Sequence, residues 1–246
     1  MFAHALLLLA LSGLSLAAKL PADYTTCHVN DVEFNTCLAG AIKGAINKLK
    51  DGDKALGLPS IGPLIVDDMT LDLGSGPITL VLNAQNLSIA GLEATTVESA
   101  ELDTKKHVLT VRAHTPHLRL DFQYRASGKI LVIAVKGDGP AFFEFDDVST
   151  THVISAEPVE RKGKTYWKIS DYGLDIAPKE MRCHFHELLK GNKQVSEQVN
   201  GFLNSDWKLF YKQIQGPAQD AFRAMFKQMA ARVFDRIPIN EIYQDI

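Results

Sequence analysis

QGPAQDAFRAMFKQMAARVFDRIPI, residues 215–239, is the stretch from which the fold is read. It opens on Gly216-Pro217, and proline suits the first turn of a helix, where its missing N–H leaves no bond unmade. It closes at Pro238, which a helix rarely passes. Between them Phe222, Met225, Phe226, Met229, Val233 and Ile237 recur at the spacing of one helical face. Ala218, Ala221, Ala224, Ala230 and Ala231 thin the rest of the cylinder, and Asp220, Arg223, Lys227 and Arg232 fall on the far side. Some twenty residues make a rod roughly 30 Å long. Its apolar stripe is wide, so something must cover most of it. The chain before it reads mainly as strands, which predicts a sheet folded around this helix.

Working back, residues 64–176 alternate with period two. Met69, Leu71 and Leu73 form one run, Ile78, Leu80 and Leu82 a second, Leu109, Val111 and Ala113 a third, and Leu118, Leu120, Phe122 and Tyr124 a fourth. Gly74-Ser75-Gly76-Pro77 and Ser127-Gly128-Lys129 read as turns, and Gly137-Asp138-Gly139-Pro140 as a further break. Residues 130–136 are apolar on both faces, as in a strand covered twice. Ala141, Phe143 and Phe145 then alternate. Arg161-Lys162-Gly163-Lys164 links two more runs, with Trp167 and Ile169 on one face and Tyr172, Leu174 and Ile176 beyond. Short turns between successive strands predict antiparallel hairpins, and a sheet of this size curls.

Residues 31–50 predict a first amphipathic helix, with Asn30 as its N-cap, Glu33 three residues on, and Phe34, Leu38, Ile42, Ile46 and Leu49 on one face. Gly40 and Gly44 weaken it by up to ~1 kcal/mol each. From Glu187 the helical period returns through Val195, Val199, Phe202, Leu203, Phe210 and Ile214; Gly216-Pro217 either kinks this region or separates it from the last helix.

The chain of 246 residues carries 26 Lys+Arg against 29 Asp+Glu, a net charge of −3. That leaves no electrostatic footprint for nucleic acid. Residues 1–18 read as a secretory signal, with a short leucine-rich run and small residues at Ser15 and Ala17 before cleavage at Ala18. The run is too short to span a bilayer and no later stretch approaches that length, so stable membrane insertion is not expected. The expectation is a secreted chain with one domain over residues 19–246. Three cysteines fit an oxidising compartment. A bridge between Cys27 and Cys37 would close a loop of about ten residues, worth roughly 2–3 kcal/mol in the chain-entropy view. Cys183 is left over, as a buried thiol or a mixed disulfide. Asn86-Leu87-Ser88 is a glycosylation sequon inside a strand-like run.

No catalytic constellation is found: there is no G-x-S-x-G elbow, no H-E-x-x-H and no C-x-x-C pair, so the chain is not expected to be an enzyme and no cofactor is implied. Cys183-His184-Phe185-His186-Glu187 is the nearest approach to a metal site, but no third or fourth ligand stands at a usual spacing, and His114-Thr115-Pro116-His117 reads as a turn. What stands out is apolar inventory. A curled sheet around a helix rich in Met and Phe has an interior easily left unfilled, and such a cavity suits a lipid-like ligand.

The order of several short segments is also informative. Cys27 and Cys37 flank the start of the first helix, and Leu56-Gly57-Leu58-Pro59-Ser60 follows it. Asn86-Leu87-Ser88-Ile89-Ala90-Gly91-Leu92, Leu188-Leu189-Lys190-Gly191-Asn192-Lys193, Phe202-Leu203-Asn204-Ser205-Asp206-Trp207 and Val233-Phe234-Asp235-Arg236-Ile237-Pro238 come after. Together they resemble the insect takeout and juvenile hormone-binding protein family, from about residue 20 to the C-terminus. The resemblance implies an α+β fold of the α/β-wrap type, a long C-terminal helix enclosed by a strongly curved antiparallel β-sheet, within the tubular lipid-binding superfamily. It implies a hydrophobic tunnel, a carrier rather than a catalyst, a Cys27–Cys37 disulfide, and a first helix at the tunnel mouth. The chain departs from the family pattern at Gly62 and Asp206, and Cys183 lacks the partner that a second disulfide needs, which favours the takeout-like branch.

The expected ligand-binding residues are the sheet aromatics Phe122, Tyr124, Phe143 and Trp167, the helix face Phe222, Met225, Phe226 and Met229, and Leu38 and Ile42 of the first helix, with Tyr124 or Trp167 donating to a polar ligand end. The expected partner is a small hydrophobic ligand such as a terpenoid or a fatty-acid-like lipid. A cell-surface receptor is the further partner such a haemolymph carrier would meet, and no stretch of sequence identifies one. The rival reading, a secreted defence protein that captures microbial lipid, would want a basic tip at Lys105-Lys106 or Arg161-Lys162-Gly163-Lys164.

Overall fold

The computed structural model describes residues 19–74 and 76–246; the expected signal, 1–18, lies outside the described residues. In chain order the elements are β1 (Cys27–His28), α1 (Phe34–Leu49), β2 (Leu64–Leu73), β3 (Ile78–Ala90), β4 (Thr96–Asp103), β5 (Val108–Ile130), β6 (Ile133–Arg161), β7 (Lys164–Ala177), β8 (Glu180–Phe185), α2 (Lys193–Ser205), α3 (Trp207–Phe234), α4 (Ile239–Ile242) and β9 (Tyr243–Gln244). Seven strands make one antiparallel sheet in the order β2-β3-β5-β6-β7, with β4 on one half of β5 and β8 on one half of β6. The long helix α3 packs on β7 and β2, the two ends of that order. The sheet must therefore curl around it.

Three expected breaks do not occur: Ser127-Gly128-Lys129, Gly137-Asp138-Gly139-Pro140 and His114-Thr115-Pro116-His117 all lie within strands. The run 130–136, expected as one strand covered on both faces, instead holds the hairpin turn at the exposed Leu131-Val132. β5 has 23 residues and β6 has 29, and they pair along almost their whole length. Gly137 and Gly139 are rungs of that ladder, opposite Ala126 and Tyr124. Glycine is needed at 137 because a Cβ there would lie 2.6 Å from the carbonyl oxygens of Glu187 and Leu188, where the chain leaving β8 crosses the strand. His114-Thr115-Pro116-His117 is likewise strand, not turn. β5 pairs with β4 up to His114 and with β3 from Arg119; β6 pairs with β8 up to Asp146 and with β7 from Ser149. Pro116 and Asp147 (φ +50°) sit opposite one another at this change of neighbours. A proline is tolerated there because its missing N–H falls between two ladders.

The helices also differ from expectation at their ends. α1 starts at Phe34, not 31, and Asn30 does not cap it; the Asp31 carboxylate instead accepts from the Glu33 N–H at 2.9 Å. The residues before it are drawn into extended pairing, with β1 parallel to β9 and the Val29 N–H donating to the Gln244 carbonyl. Cys27 and Cys37 are joined, tying β1 to α1. At the other end, α3 runs straight through Pro217 and the break falls at Asp206 (φ −120°). Pro217 costs one backbone bond, to Gln213. Side chains on both sides of it offset that loss: Tyr211 Oη donates to the Ile176 carbonyl at 2.6 Å, and Gln219 Nε2 to Asp175 Oδ1 at 3.1 Å.

α2 closes the free edge of β8 with side chains. Asn200 accepts from the Phe185 N–H (3.0 Å) and donates to the Phe185 carbonyl (2.9 Å). Asn204, one helical turn on, does the same for Cys183 at 2.9 and 2.8 Å. One turn of helix rises about 5.4 Å and two residues of strand about 6.6 Å, so the two asparagines imitate a neighbouring strand. An edge that would otherwise be free to pair is covered.

The buried side chains form two clusters. One, around Phe122, Phe143, Phe185, Leu203 and Phe210, fills the end where α2 and the start of α3 lie. The other, around Cys27, Leu38, Leu109, Trp167 and Tyr243, fills the end where β1 and β9 pair. Ala113, Val148, Tyr172 and Leu174 are buried yet belong to neither. They face the space between.

Candidate functional site

That space is an elongated cavity of about 480 Å³, within the range of roughly 300–1,000 Å³ usual for small-molecule pockets. The mechanism of its formation is local. Period-two alternation on β2–β7 sends one face inward, and α3 contributes Ala218, Phe222, Phe226, Met229 and Val233 from a single stripe. Small residues stand where bulk would close the bore: Ala84 on β3, Ala113 on β5, and Ala218 on α3. α1 covers one flank with Leu38, Ala41, Ile42, Ala45, Ile46 and Leu49, and the arm before it adds Leu20 and Tyr24.

Seven of the ten expected ligand contacts line this cavity: Leu38, Ile42, Phe122, Phe143, Phe222, Phe226 and Met229. Three lie outside it. Tyr124 points inward but sits at the filled end, packed edge-on against Phe185 and donating to the His186 carbonyl at 2.6 Å. Trp167 is buried at the opposite end, stacked on Phe234 and tilted against Tyr243. Met225, a step around α3, packs against the first cluster. The expected hydrogen bond from Tyr124 or Trp167 to a ligand is therefore not available in the bore.

The polar groups that do face it were not foreseen. His152 and Thr150 on β6 and Tyr172 on β7 lie together: His152 Nδ1 is 2.8 Å from Tyr172 Oη, and Nε2 is 3.1 Å from Thr150 Oγ1. Burial holds His152 down to about 4 and raises the Tyr172 phenol above its ordinary range, so both are neutral at physiological pH. Phe226 of α3 stacks on Tyr172 and meets His152 edge-on. Nearer α1, Thr95 and Thr115 share a hydrogen bond of 2.7 Å. Among the described residues no Lys, Arg, Asp or Glu lines the cavity.

Elsewhere the suspected chemistry dissolves into structure. Cys183 is a free buried thiol, pushed up to about 12 by burial, and its backbone belongs to the asparagine clamp. Among the described residues no three His, Cys, Asp or Glu side chains converge as metal ligands, and no helix is long and apolar enough to cross a membrane. Lys105 and Lys106 lie in a turn whose N–H groups bond Asp103; Arg161 stacks on Tyr166 and donates to the Asp235 carbonyl at 2.5 Å. Asn86 of the sequon is exposed at the bulge of β3, with φ +52°.

Comparison with known proteins agrees with this geometry. The profile of the haemolymph juvenile hormone binding protein family matches residues 5–244. The chain is similar to the circadian clock-controlled protein daywake of Drosophila melanogaster, with 24% identity over 232 residues, covering 91% of this chain and 88% of that one. Its Drosophila yakuba counterpart is 28% identical over 142 residues, covering 57% of this chain and 55% of its own. Among solved structures, Takeout 1 of Epiphyas postvittana superposes with a TM-score of 0.78 at 23% identity, covering 89% of this chain and 99% of that one. At that identity the likeness shows the fold.

Proposed function

The chain belongs to the haemolymph juvenile hormone binding protein family, and from that premise we propose that it is a secreted carrier of one small hydrophobic ligand, held in the bore between the curled sheet and α3. The observation that carries this reading is the cavity itself, about 480 Å³ walled mainly by aliphatic and aromatic side chains, with no carboxylate, ammonium or guanidinium among the described residues that line it. An interior void of this size is unfavourable unless something fills it, because its lining forfeits dispersion contacts. A sixteen-carbon chain entering it gains roughly 12 kcal/mol gross at ~0.8 per methylene. Ordering and association costs take back much of that, leaving micromolar to nanomolar binding. The ligand contacts in this reading are Leu38, Ile42, Phe122, Phe143, Phe222, Phe226 and Met229. The absence of a nucleophile motif in the sequence favours transport over catalysis.

Native mass spectrometry of the protein purified from its secreting cells, with solvent extraction of any bound lipid, tests this. The expected result is a single lipid-sized adduct that extraction removes. A protein that arrives empty, and that then takes up neither terpenoid nor long-chain alcohol probes, contradicts it.

A further inference from the structure

The bore is apolar along its length except at a few places, and the three side chains His152, Thr150 and Tyr172 form one of these. Their hydrogen bonds make a chain: Tyr172 Oη to His152 Nδ1, His152 Nε2 to Thr150 Oγ1, and Thr150 Oγ1 to the Ala113 carbonyl at 3.5 Å. In one direction the tyrosine donates to the imidazole, and the threonine donates to the carbonyl; spare lone pairs on Tyr172 and Thr150 then accept from a hydroxyl. With the protons reversed, the imidazole donates to Tyr172 and the phenol is free to donate to a carbonyl or ether oxygen. Either way the group offers a hydrogen bond without a charge. An ionised carboxylate buried beside it would find no cation among the described residues of the lining, and an unpaired buried charge is strongly disfavoured.

We propose, resting on the carrier reading, that the bore selects uncharged lipids bearing a hydrogen-bonding oxygen, and that this oxygen is held beneath Phe226 by the Tyr172–His152–Thr150 chain. The rest of the lining supplies affinity for length; this group sets register along the bore and discriminates between alcohols or esters and free acid anions. A merely structural role for the group would not make its effect depend on the ligand's oxygen.

The test is displacement of a neutral fluorescent probe, N-phenyl-1-naphthylamine, from delipidated protein at neutral pH by hexadecane, 1-hexadecanol, methyl palmitate and palmitate. Wild type is expected to prefer the alcohol and the ester over palmitate by at least about tenfold. In His152→Leu/Tyr172→Phe that preference for oxygen-bearing ligands over hexadecane falls several-fold while hexadecane affinity is kept. Thr150→Val, a near-isosteric change at the end of the chain, gives the same trend if the double variant does not fold. Palmitate binding as tightly as hexadecanol, or a loss equal for hexadecane and hexadecanol, overturns the proposal and leaves the carrier reading standing. If the probe and all four lipids fail to bind, the carrier reading falls and this inference falls with it.

Discussion

At the residue scale, His152 couples the bore to pH. Its pKa is held at about 4 by burial, against 6.5 in the unfolded chain. Above that unfolded value both states are neutral and the group contributes nothing to the pH dependence. As pH falls from 6.5 towards 4 the unfolded chain takes up a proton that the native state refuses, so stability declines, by up to about 3 kcal/mol in all. Urea midpoints measured across this window should fall less steeply in His152→Gln than in the wild type; equal slopes would show that the imidazole charges without resistance. The sequence did not single out His152, because an isolated histidine in a strand has no spacing signal. Its place was still readable: Val148, Thr150, His152 and Ile154 alternate on the inward side of β6. Tyr124 and Trp167 show the converse limit. Alternation shows that a side chain faces inward, but not how far along the bore it lies, and both stand where the ends are packed solid.

At the scale of elements, the asparagine clamp and the disulfide make separable predictions. Asn200→Leu strands the N–H and carbonyl of Phe185 in a buried site and should cost about 2–4 kcal/mol, read as a lower urea midpoint. A change indistinguishable from that of an exposed α2 position would refute the clamp. Cys27→Ser with Cys37→Ser opens a loop with a sequence separation of 10. It should lower stability by about 2–3 kcal/mol, and release of a bound probe should quicken because α1, which covers one flank of the bore, loses its tie to β1. Unchanged release would mean that α1 is held by packing alone. The amphipathic stripe of α3 was plain in the sequence, yet its start was not. Proline statistics favour a boundary at Pro217, and what overrides them is tertiary: Tyr211 and Gln219 fasten the helix to the end of β7 on both sides of the missing bond. The strand breaks misread at Pro116 and Gly137 have the same origin. Local breakers mark a change of neighbour and a backbone crossing, neither of which is written in nearby sequence.

At the scale of the molecule, the fold is a sleeve with two packed ends and a hollow middle. Large-to-small substitutions should therefore behave differently by position. Phe185→Ala, at a filled end, should cost about 3–5 kcal/mol. Phe226→Ala, which already borders a void, should cost distinctly less in the ligand-free protein but weaken probe binding; equal thermal shifts for the two would argue for a uniformly packed interior. The curled sheet around the last helix was legible from the period-two runs and the final stripe. The bore was legible only as a plausible consequence, since whether a Phe- and Met-rich interior fills itself depends on where alanines meet across the sleeve. The most direct test of the hollow is a crystal structure of the delipidated protein equilibrated with 16-bromo-1-hexadecanol, located by the anomalous signal of bromine. The account predicts one molecule per chain lying along α3, with continuous density between Phe222 and the inward faces of β5 and β6. Bromine found only on the outer surface, or a bore closed by its own side chains, would contradict it.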